Sequence, residues 1–105
     1  MELNAIPLND QDVVQISGRV DSLTAPRLAC AIKNILDTGR YNIVLDLTHV
    51  NYVSSAGLRV LIDAQKTCKP HGGEVALTGV PQRIYETLEL AGLVSLFRFQ
   101  TANSQ

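Results

Sequence analysis

Two consecutive serines, Ser54 and Ser55, stand where an extended segment gives way to a helical pattern. Serine is favoured at a helix N-terminus because its oxygen accepts a hydrogen bond from a free backbone N–H of the first turn. The same end of a helix carries unpaired N–H groups and a partial positive charge, which favour a phosphate placed there. Phosphorylation of either hydroxyl would add a charge of about −1.5 to −2 at one point. The pair is therefore predicted to act either as a helix cap or as the acceptor of a phosphorylation switch.

The residues that follow the serines fit both interpretations. Ala56 and Gly57 are small, so the start of the helix can pack closely against a sheet. Arg59 lies one turn into the helix and is a candidate contact to a partner or to a phosphate. A solvated helix face is the alternative for Arg59.

Residue types suited to catalysis or metal binding are few and scattered. His49 and His71 are the only histidines, and both are predicted to lie at the surface. Cys30 and Cys68 have no CxxC spacing, so each is predicted to be a small apolar side chain packed at or near the core. Asp46, near the end of a predicted strand, could accept a phosphoryl group, but it lacks the neighbouring acids that would hold Mg²⁺. The sequence predicts neither an enzyme nor a metal or cofactor site.

The length and net charge of the chain exclude several further classes of function. The chain has 105 residues, with 9 Lys and Arg against 10 Asp and Glu and a formal net charge of −1. This length predicts one domain, and the missing basic surplus argues against tight binding to nucleic acid. No apolar stretch approaches the roughly 20 residues of a membrane span, and the N-terminal segment lacks the pattern of a signal peptide. We therefore expect a cytoplasmic protein without direct membrane contact.

Short apolar runs alternate with helical patterns along the chain. β-branched and apolar runs predict strands at residues 3–8, 13–17, 42–47 and 74–78, with residues 48–53 as a partly extended connection. Periodicities of three and four predict helices that begin near Thr24, Ala56 and Pro81 and end near Gly39, Pro70 and Gly92. Residues 96–99 fit either an edge strand or a last helical turn.

The order of these elements predicts an α/β fold. The first two strands are joined by so short a link that they must be antiparallel neighbours. The later strands alternate with helices, which predicts parallel central strands. The sequence thus predicts a single domain over residues 1–105, built on a mixed sheet of four to five strands with helices packed on it. Its ordered core is expected at residues 3–99, followed by a polar tail at 100–105.

Four stretches of the chain form a specific combination of motifs. They are Gly18 to Pro26 (GRVDSLTAP), Ile43 to Leu47 (IVLDL), Tyr52 to Leu58 (YVSSAGL), and Gly72-Gly73 with its following strand and Leu88 to Leu93 (LELAGL). In this order and spacing they resemble the STAS family, and more narrowly the bacterial anti-sigma-factor antagonists. The resemblance covers roughly residues 3–99.

The resemblance implies a switch between partners. In such antagonists, an anti-sigma factor with GHKL-type serine kinase activity phosphorylates a serine at the start of the second helix. The unphosphorylated antagonist binds the anti-sigma factor and frees the sigma factor. Phosphorylation ends that binding, and a PP2C-type phosphatase restores it.

The phosphorylation segment departs from the usual family pattern. That pattern is Asp-Ser-Ser/Thr-Gly, with the phosphate on the serine directly after Asp. Alignment on Gly57 places Ser55 at that serine, Ser54 at the Asp and Ala56 at the following Ser or Thr. We expect the phosphate on Ser55. Ser54 is the alternative, because a serine in place of the usual Asp offers a second acceptor hydroxyl.

The resemblance also implies a partner-binding surface. Asp21 and Thr24 match family positions close to that surface, although a turn and a helix cap would explain both residues as well. The predicted partner-binding residues are Asp21, Ser22, Thr24, Ser54, Ser55, Ala56, Gly57 and Arg59.

A second function stays open at the level of the sequence. A STAS domain can also be a subunit of a membrane transport assembly, such as a lipid-trafficking ATP-binding-cassette complex, and act there as a scaffold without phosphorylation. The serine pair favours the switch, because a scaffold has no need of an acceptor hydroxyl at this position.

Overall fold

The computed structural model of the protein describes residues 1–100, which form three helices and a five-stranded sheet. The elements are β1 (Glu2–Leu8), β2 (Gln11–Val20), α1 (Ala25–Leu36), β3 (Asn42–Val53), α2 (Ser55–Cys68), β4 (Glu74–Thr78), α3 (Gln82–Leu90) and β5 (Arg98–Gln100). Two short 3₁₀ turns cover Lys69–His71 and Val94–Leu96. The predicted α/β fold is confirmed.

The strands follow one another across the sheet in the order β1-β2-β3-β4-β5. β1 and β2 pair antiparallel, as their short connection requires, and the other three pairs are parallel. Helical crossovers connect the parallel strands, since a strand cannot return to a parallel register through a tight turn. The predicted mixed sheet is therefore confirmed, with five strands.

The central strand β3 is longer than its apolar run predicts. Its three consecutive apolar residues predict a strand buried on both faces, as in the centre of a sheet covered by helices, and Ile43, Val44 and Leu45 are indeed all buried. Beyond Leu47 the strand continues to Val53, because β2 offers pairing partners up to Val20. The segment interpreted as a connection is thus a strand, and it ends directly before the serine pair.

Each helix buries one apolar stripe against the sheet. The buried residues are Ala25, Leu28 and Ile32 in α1, Leu61, Ala64 and Cys68 in α2, and Ile84 and Leu88 in α3. The spacing of Ile84, Leu88 and Ala91 predicts that these three residues share the buried face of α3, but Ala91 lies just after the helix and is exposed. The helix ends one residue earlier than expected, and Gly92 follows in the left-handed region with φ of 74°.

The two cysteines have different environments. Cys68 is fully buried, as predicted, whereas Cys30 is exposed, so the prediction for Cys30 is wrong. Leu28 and Ile32 lie two positions before and after Cys30 and define the buried face of α1. Because two residues turn a helix by about 200°, Cys30 lies on the opposite face.

The C-terminal segment contains both structures that the sequence left open. A 3₁₀ turn at Val94–Leu96 is followed by β5, whose Phe99 pairs with Leu77 of β4. Gln100, assigned to the tail by sequence, is the last residue of β5 and is half-buried. The rest of the predicted tail, residues 101–105, lies outside the described residues.

Candidate functional site

The ends of β2 and β3 bring two of the sequence motifs together. Val20 and Val53 pair across the parallel strands, and the next residue, Ser54, donates its backbone N–H to the Val20 carbonyl at 2.8 Å. The chain leaves β2 into the Asp21–Thr24 loop and leaves β3 into α2. The loop and the serine pair therefore lie side by side at the carboxyl ends of β2 and β3, and this surface, residues 19–24 and 52–59, is called the β2–α2 corner below.

The two serines have different positions at the start of α2. Ser54 is the N-cap residue, with extended backbone, and its Oγ accepts a hydrogen bond from the Gly57 N–H at 3.2 Å. Its carbonyl accepts the first helical bond, from Leu58, at 2.9 Å. Ser55 is the first residue inside the helix and is exposed, whereas Ser54 is only partly exposed. One hydroxyl thus caps the helix and the other faces solvent.

Gly57 lets the first turn of α2 approach the sheet. A Cβ at this position would lie 2.8 Å from Cγ1 of Val20 and 2.9 Å from Cγ1 of Val53. Both distances are too short for carbon atoms in van der Waals contact. Gly57 is buried, so it serves the site by packing, while the neighbouring Ala56 is half-buried.

The Asp21–Thr24 loop is held by hydrogen bonds to the Asp21 carboxylate. Oδ1 of Asp21 accepts from the backbone N–H groups of Leu23 at 3.0 Å and Thr24 at 3.1 Å. The Thr24 N–H bond does most to lower the pKa of Asp21 below its usual value, and the nearby Arg19 cation acts in the same direction. The carboxylate is therefore ionised at neutral pH and fixed in place.

Thr24 occupies the N-cap position of α1 without capping the helix through its side chain. Its Oγ1 accepts from the Asp21 N–H at 2.9 Å and donates to the Arg19 carbonyl at 2.8 Å. The hydroxyl thus closes the loop onto the end of β2. The Thr24 side chain therefore shapes the loop, and the side-chain cap of α1 predicted for this residue is not formed.

Arg19 and Tyr52 belong to two of the sequence motifs but were not predicted as site residues, and they complete the corner. They are paired residues of β2 and β3, and the Arg19 guanidinium carbon lies 4.2 Å from the centre of the Tyr52 ring. Arg19 also lies 3.8 Å from Asp21 in an exposed ion pair. The register of two parallel strands creates this contact, so no local sequence signal could have predicted it.

The remaining predicted partner-binding residues are accessible. Ser22 and Arg59 are exposed, and Arg59 pairs with Asp63 of the next turn at 3.7 Å. An exposed pair of this kind exchanges partners easily, because it contributes little stability. The corner therefore presents one free hydroxyl beside an anionic loop and an arginine that can change its contacts.

The described residues carry no second constellation suited to chemistry. His49 and His71 are exposed, as predicted, and His71 stacks on Tyr41 with ring centres 3.9 Å apart. Asp46 accepts hydrogen bonds from the backbone and hydroxyl of Thr48. Within residues 1–100, no three His, Cys, Asp or Glu side chains are grouped as a metal site. None of the helices in this range is long and apolar enough to cross a membrane.

Comparison with known proteins identifies the family. The sequence-family model of the STAS domain matches residues 5–104, which is nearly the whole chain. The chain belongs to the STAS domain family. The resemblance that the four motifs indicated is therefore confirmed, and the corner at Ser54 and Ser55 lies within the matched region.

One relative and two solved structures are similar to the chain over most of its length. BtrV of Bordetella bronchiseptica, named as an anti-sigma factor antagonist, is 31% identical over 105 residues, which are 100% of this chain and 89% of that protein. A Thermotoga maritima structure named in the same way is similar in fold, with a TM-score of 0.87 at 19% identity, covering 92% of this chain and 84% of that one. The phosphorylated form of SpoIIAA from Bacillus gives a TM-score of 0.78 at 12% identity, covering 98% and 93%.

Proposed function

We propose that this STAS protein is an anti-sigma-factor antagonist that changes partners when Ser55 is phosphorylated. The unphosphorylated chain binds an anti-sigma factor with GHKL-type serine kinase activity and releases the sigma factor. It acts in the cytoplasm as the substrate of that kinase, and a PP2C-type phosphatase returns it to the binding form. The names of its relatives support the antagonist role.

Ser55 is proposed as the phosphorylated residue because the two serines have different structural roles. The Ser54 hydroxyl is occupied as the cap of α2, accepting from Gly57 at 3.2 Å. Serine and aspartate are both favoured N-caps, so Ser54 can replace the family's Asp in that structural part. Ser55 is exposed at the first helical position, where a kinase can reach its hydroxyl.

Phosphorylation at Ser55 would change the surface without unfolding the protein. The γ-phosphoryl group of ATP is transferred to Oγ of Ser55, which releases ADP and a proton, and hydrolysis by the phosphatase returns serine and inorganic phosphate. The N-terminus of α2 favours the added negative charge. On a chain with a formal net charge of −1, one phosphate brings the total to about −3. A partner that fits a neutral hydroxyl beside Asp21 would be repelled.

The phosphorylation site is tested by incubating the purified chain with a GHKL-type anti-sigma kinase and ATP, followed by mass spectrometry. We expect one phosphate on Ser55 in the wild type and in Ser54→Ala, and none in Ser55→Ala. A phosphate confined to Ser54, or none on either serine, contradicts the proposal.

Binding to the same kinase tests the switch itself. Ser55→Ala is expected to bind persistently in the presence of ATP, whereas Ser55→Asp binds weakly. Equal binding by both variants would leave Ser55 without a switching function. Affinity capture that recovers an ATP-binding-cassette ATPase in place of the kinase would favour the scaffold function instead.

A further inference from the structure

Large apolar side chains are markedly exposed at four positions of residues 1–100, which are Leu8, Leu23, Tyr52 and Leu90. Leu23 and Tyr52 both lie at the corner that contains the serine pair. Leu23 is 85% exposed in the loop after β2, and Tyr52 is 41% exposed near the end of β3. An isolated exposed leucine needs no explanation, but two apolar side chains beside one candidate site indicate a contact surface.

The chain holds Leu23 close to the serine pair. Leu23 follows Val20 by three residues, a reach of at most about 11 Å, and the Val20 carbonyl is hydrogen-bonded to Ser54. The Thr24 hydroxyl bonds back to the Arg19 carbonyl, so the loop turns over instead of extending away. The short loop that carries Leu23 therefore begins at the residue bonded to Ser54 and turns back onto the end of β2.

The loop also fixes the backbone of Leu23 before any partner arrives. The Leu23 N–H donates to Oδ1 of Asp21 at 3.0 Å, and the following N–H groups of Thr24 and Ala25 bond to the Asp21 carbonyl at 3.2 and 2.7 Å. Fixing a loop in its bound form reduces the ordering cost of association. An exposed apolar side chain on a fixed backbone is well suited to fill a pocket.

We propose that Leu23 is the apolar anchor of the docking surface around Ser55, inserted into an apolar pocket of the anti-sigma factor kinase. The inference rests on the proposed function and adds a residue that the family motif leaves unspecified. Asp21, ionised beside Leu23, would face a cationic group at the rim of that pocket. Ser55 decides whether the partner stays bound, and Leu23 supplies affinity for the unphosphorylated form.

The chain provides a matched control for this anchor. Leu90 at the end of α3 is 90% exposed, and α3 lies outside the β2–α2 corner. Leu23→Ala and Leu90→Ala remove the same atoms from equally open positions. Both variants should fold like the wild type, which thermal unfolding followed by circular dichroism would verify.

The experiment measures the dissociation constant and the phosphorylation kinetics with the GHKL-type kinase. Leu23→Ala should weaken binding about tenfold and raise KM for phosphorylation while kcat is unchanged, since Leu23 lies outside the reacting atoms. Leu90→Ala should match the wild type. Equal affinity for Leu23→Ala and the wild type, or an equal loss in both variants, would overturn the proposal. If the wild type itself does not bind the kinase, the proposed function fails, which is a different result from an unaffected Leu23→Ala.

Discussion

The backbone N–H of Ser54 donates to the carbonyl of Val20 at 2.8 Å, which ties the first turn of α2 to the end of β2. The bond joins the two motifs of the candidate site through the backbone, so it is independent of the side chain at position 54. The side chain of Ser54 is thereby left to cap the helix, and Ser55 projects beyond it.

Loss of the Ser54 hydroxyl should destabilise the fold more than loss of the Ser55 hydroxyl. Ser54→Ala removes the bond to the Gly57 N–H and should lower the free energy of unfolding by about 1 kcal/mol. Ser55→Ala should change it by no more than about 0.5 kcal/mol, because an exposed hydroxyl is replaced by a good helix former. Urea denaturation of both variants measures the difference. Equal stability of Ser54→Ala and Ser55→Ala would show that the Ser54 side chain does not cap α2.

Ser54→Asp separates the capping function of position 54 from the hydroxyl itself. Aspartate at an N-cap accepts the same hydrogen bond and adds a favourable charge at the helix N-terminus. We expect Ser54→Asp to be at least as stable as the wild type. A loss as large as that of Ser54→Ala would contradict the capping explanation for the departure from the family motif.

Gly57→Ala should destabilise the protein, although helix propensity alone predicts the opposite. Replacement of glycine by alanine inside a helix gains about 0.5–1 kcal/mol. Here the new methyl group would meet Cγ1 of Val20 at 2.8 Å and Cγ1 of Val53 at 2.9 Å. Overpacking of this kind typically costs about 1–3 kcal/mol. The sign of the change in the urea midpoint decides between the two effects, and a more stable variant would contradict the close packing.

The sequence predicts those parts of the fold that depend on local patterns. The apolar run at Ile43–Leu45 predicts a buried central strand, and the serine pair predicts the start of α2. The contact of Arg19 with Tyr52 depends on the register of β2 against β3, which no local pattern encodes. The position of Gln65 on the buried face of α2 follows from helical periodicity, but its partners do not. Its amide bonds both backbone groups of Val75 in the neighbouring strand, at 3.1 and 2.7 Å.

Cys30 and Cys68 are the same residue type, but only Cys68 is buried. Cysteine is among the most buried residues on average, yet the face of the helix decides the matter in each case. We expect one thiol of the folded protein, Cys30, to react rapidly with an aromatic disulfide reagent. Cys68 should react only after unfolding, because burial raises the pKa of its thiol and blocks access.

Two serine variants assign the reactive thiol. Cys30→Ser should abolish the rapid reaction, and Cys68→Ser should leave it unchanged. Rapid reaction of both thiols in the folded wild type would mean that α2 does not pack on the sheet as described.

Asp21 should make the stability of the protein depend on pH in the acidic range. Hydrogen bonds from Thr24 and Leu23 lower the pKa of Asp21 in the folded state from its ordinary value of 3.8. A carboxylate with a lowered folded pKa stabilises the protein fully above its unfolded pKa. This stabilisation is lost as the pH falls through the folded pKa. Asp21→Asn, which cannot ionise, should therefore be less stable than the wild type at neutral pH, and the difference should shrink below pH 3.8.

The same variant separates the charge of Asp21 from its loop geometry. Asparagine can still accept the N–H bonds of the loop, so a loss of partner binding in Asp21→Asn at neutral pH would be due to the charge. Asp10→Asn serves as the control, since Asp10 is an exposed carboxylate in the turn between β1 and β2, outside the candidate site. Urea denaturation at several pH values compares the free energies of unfolding of the wild type, Asp21→Asn and the control variant. A difference between Asp21→Asn and the wild type that stays constant from neutral to acidic pH would show that the carboxylate charge does not hold this loop.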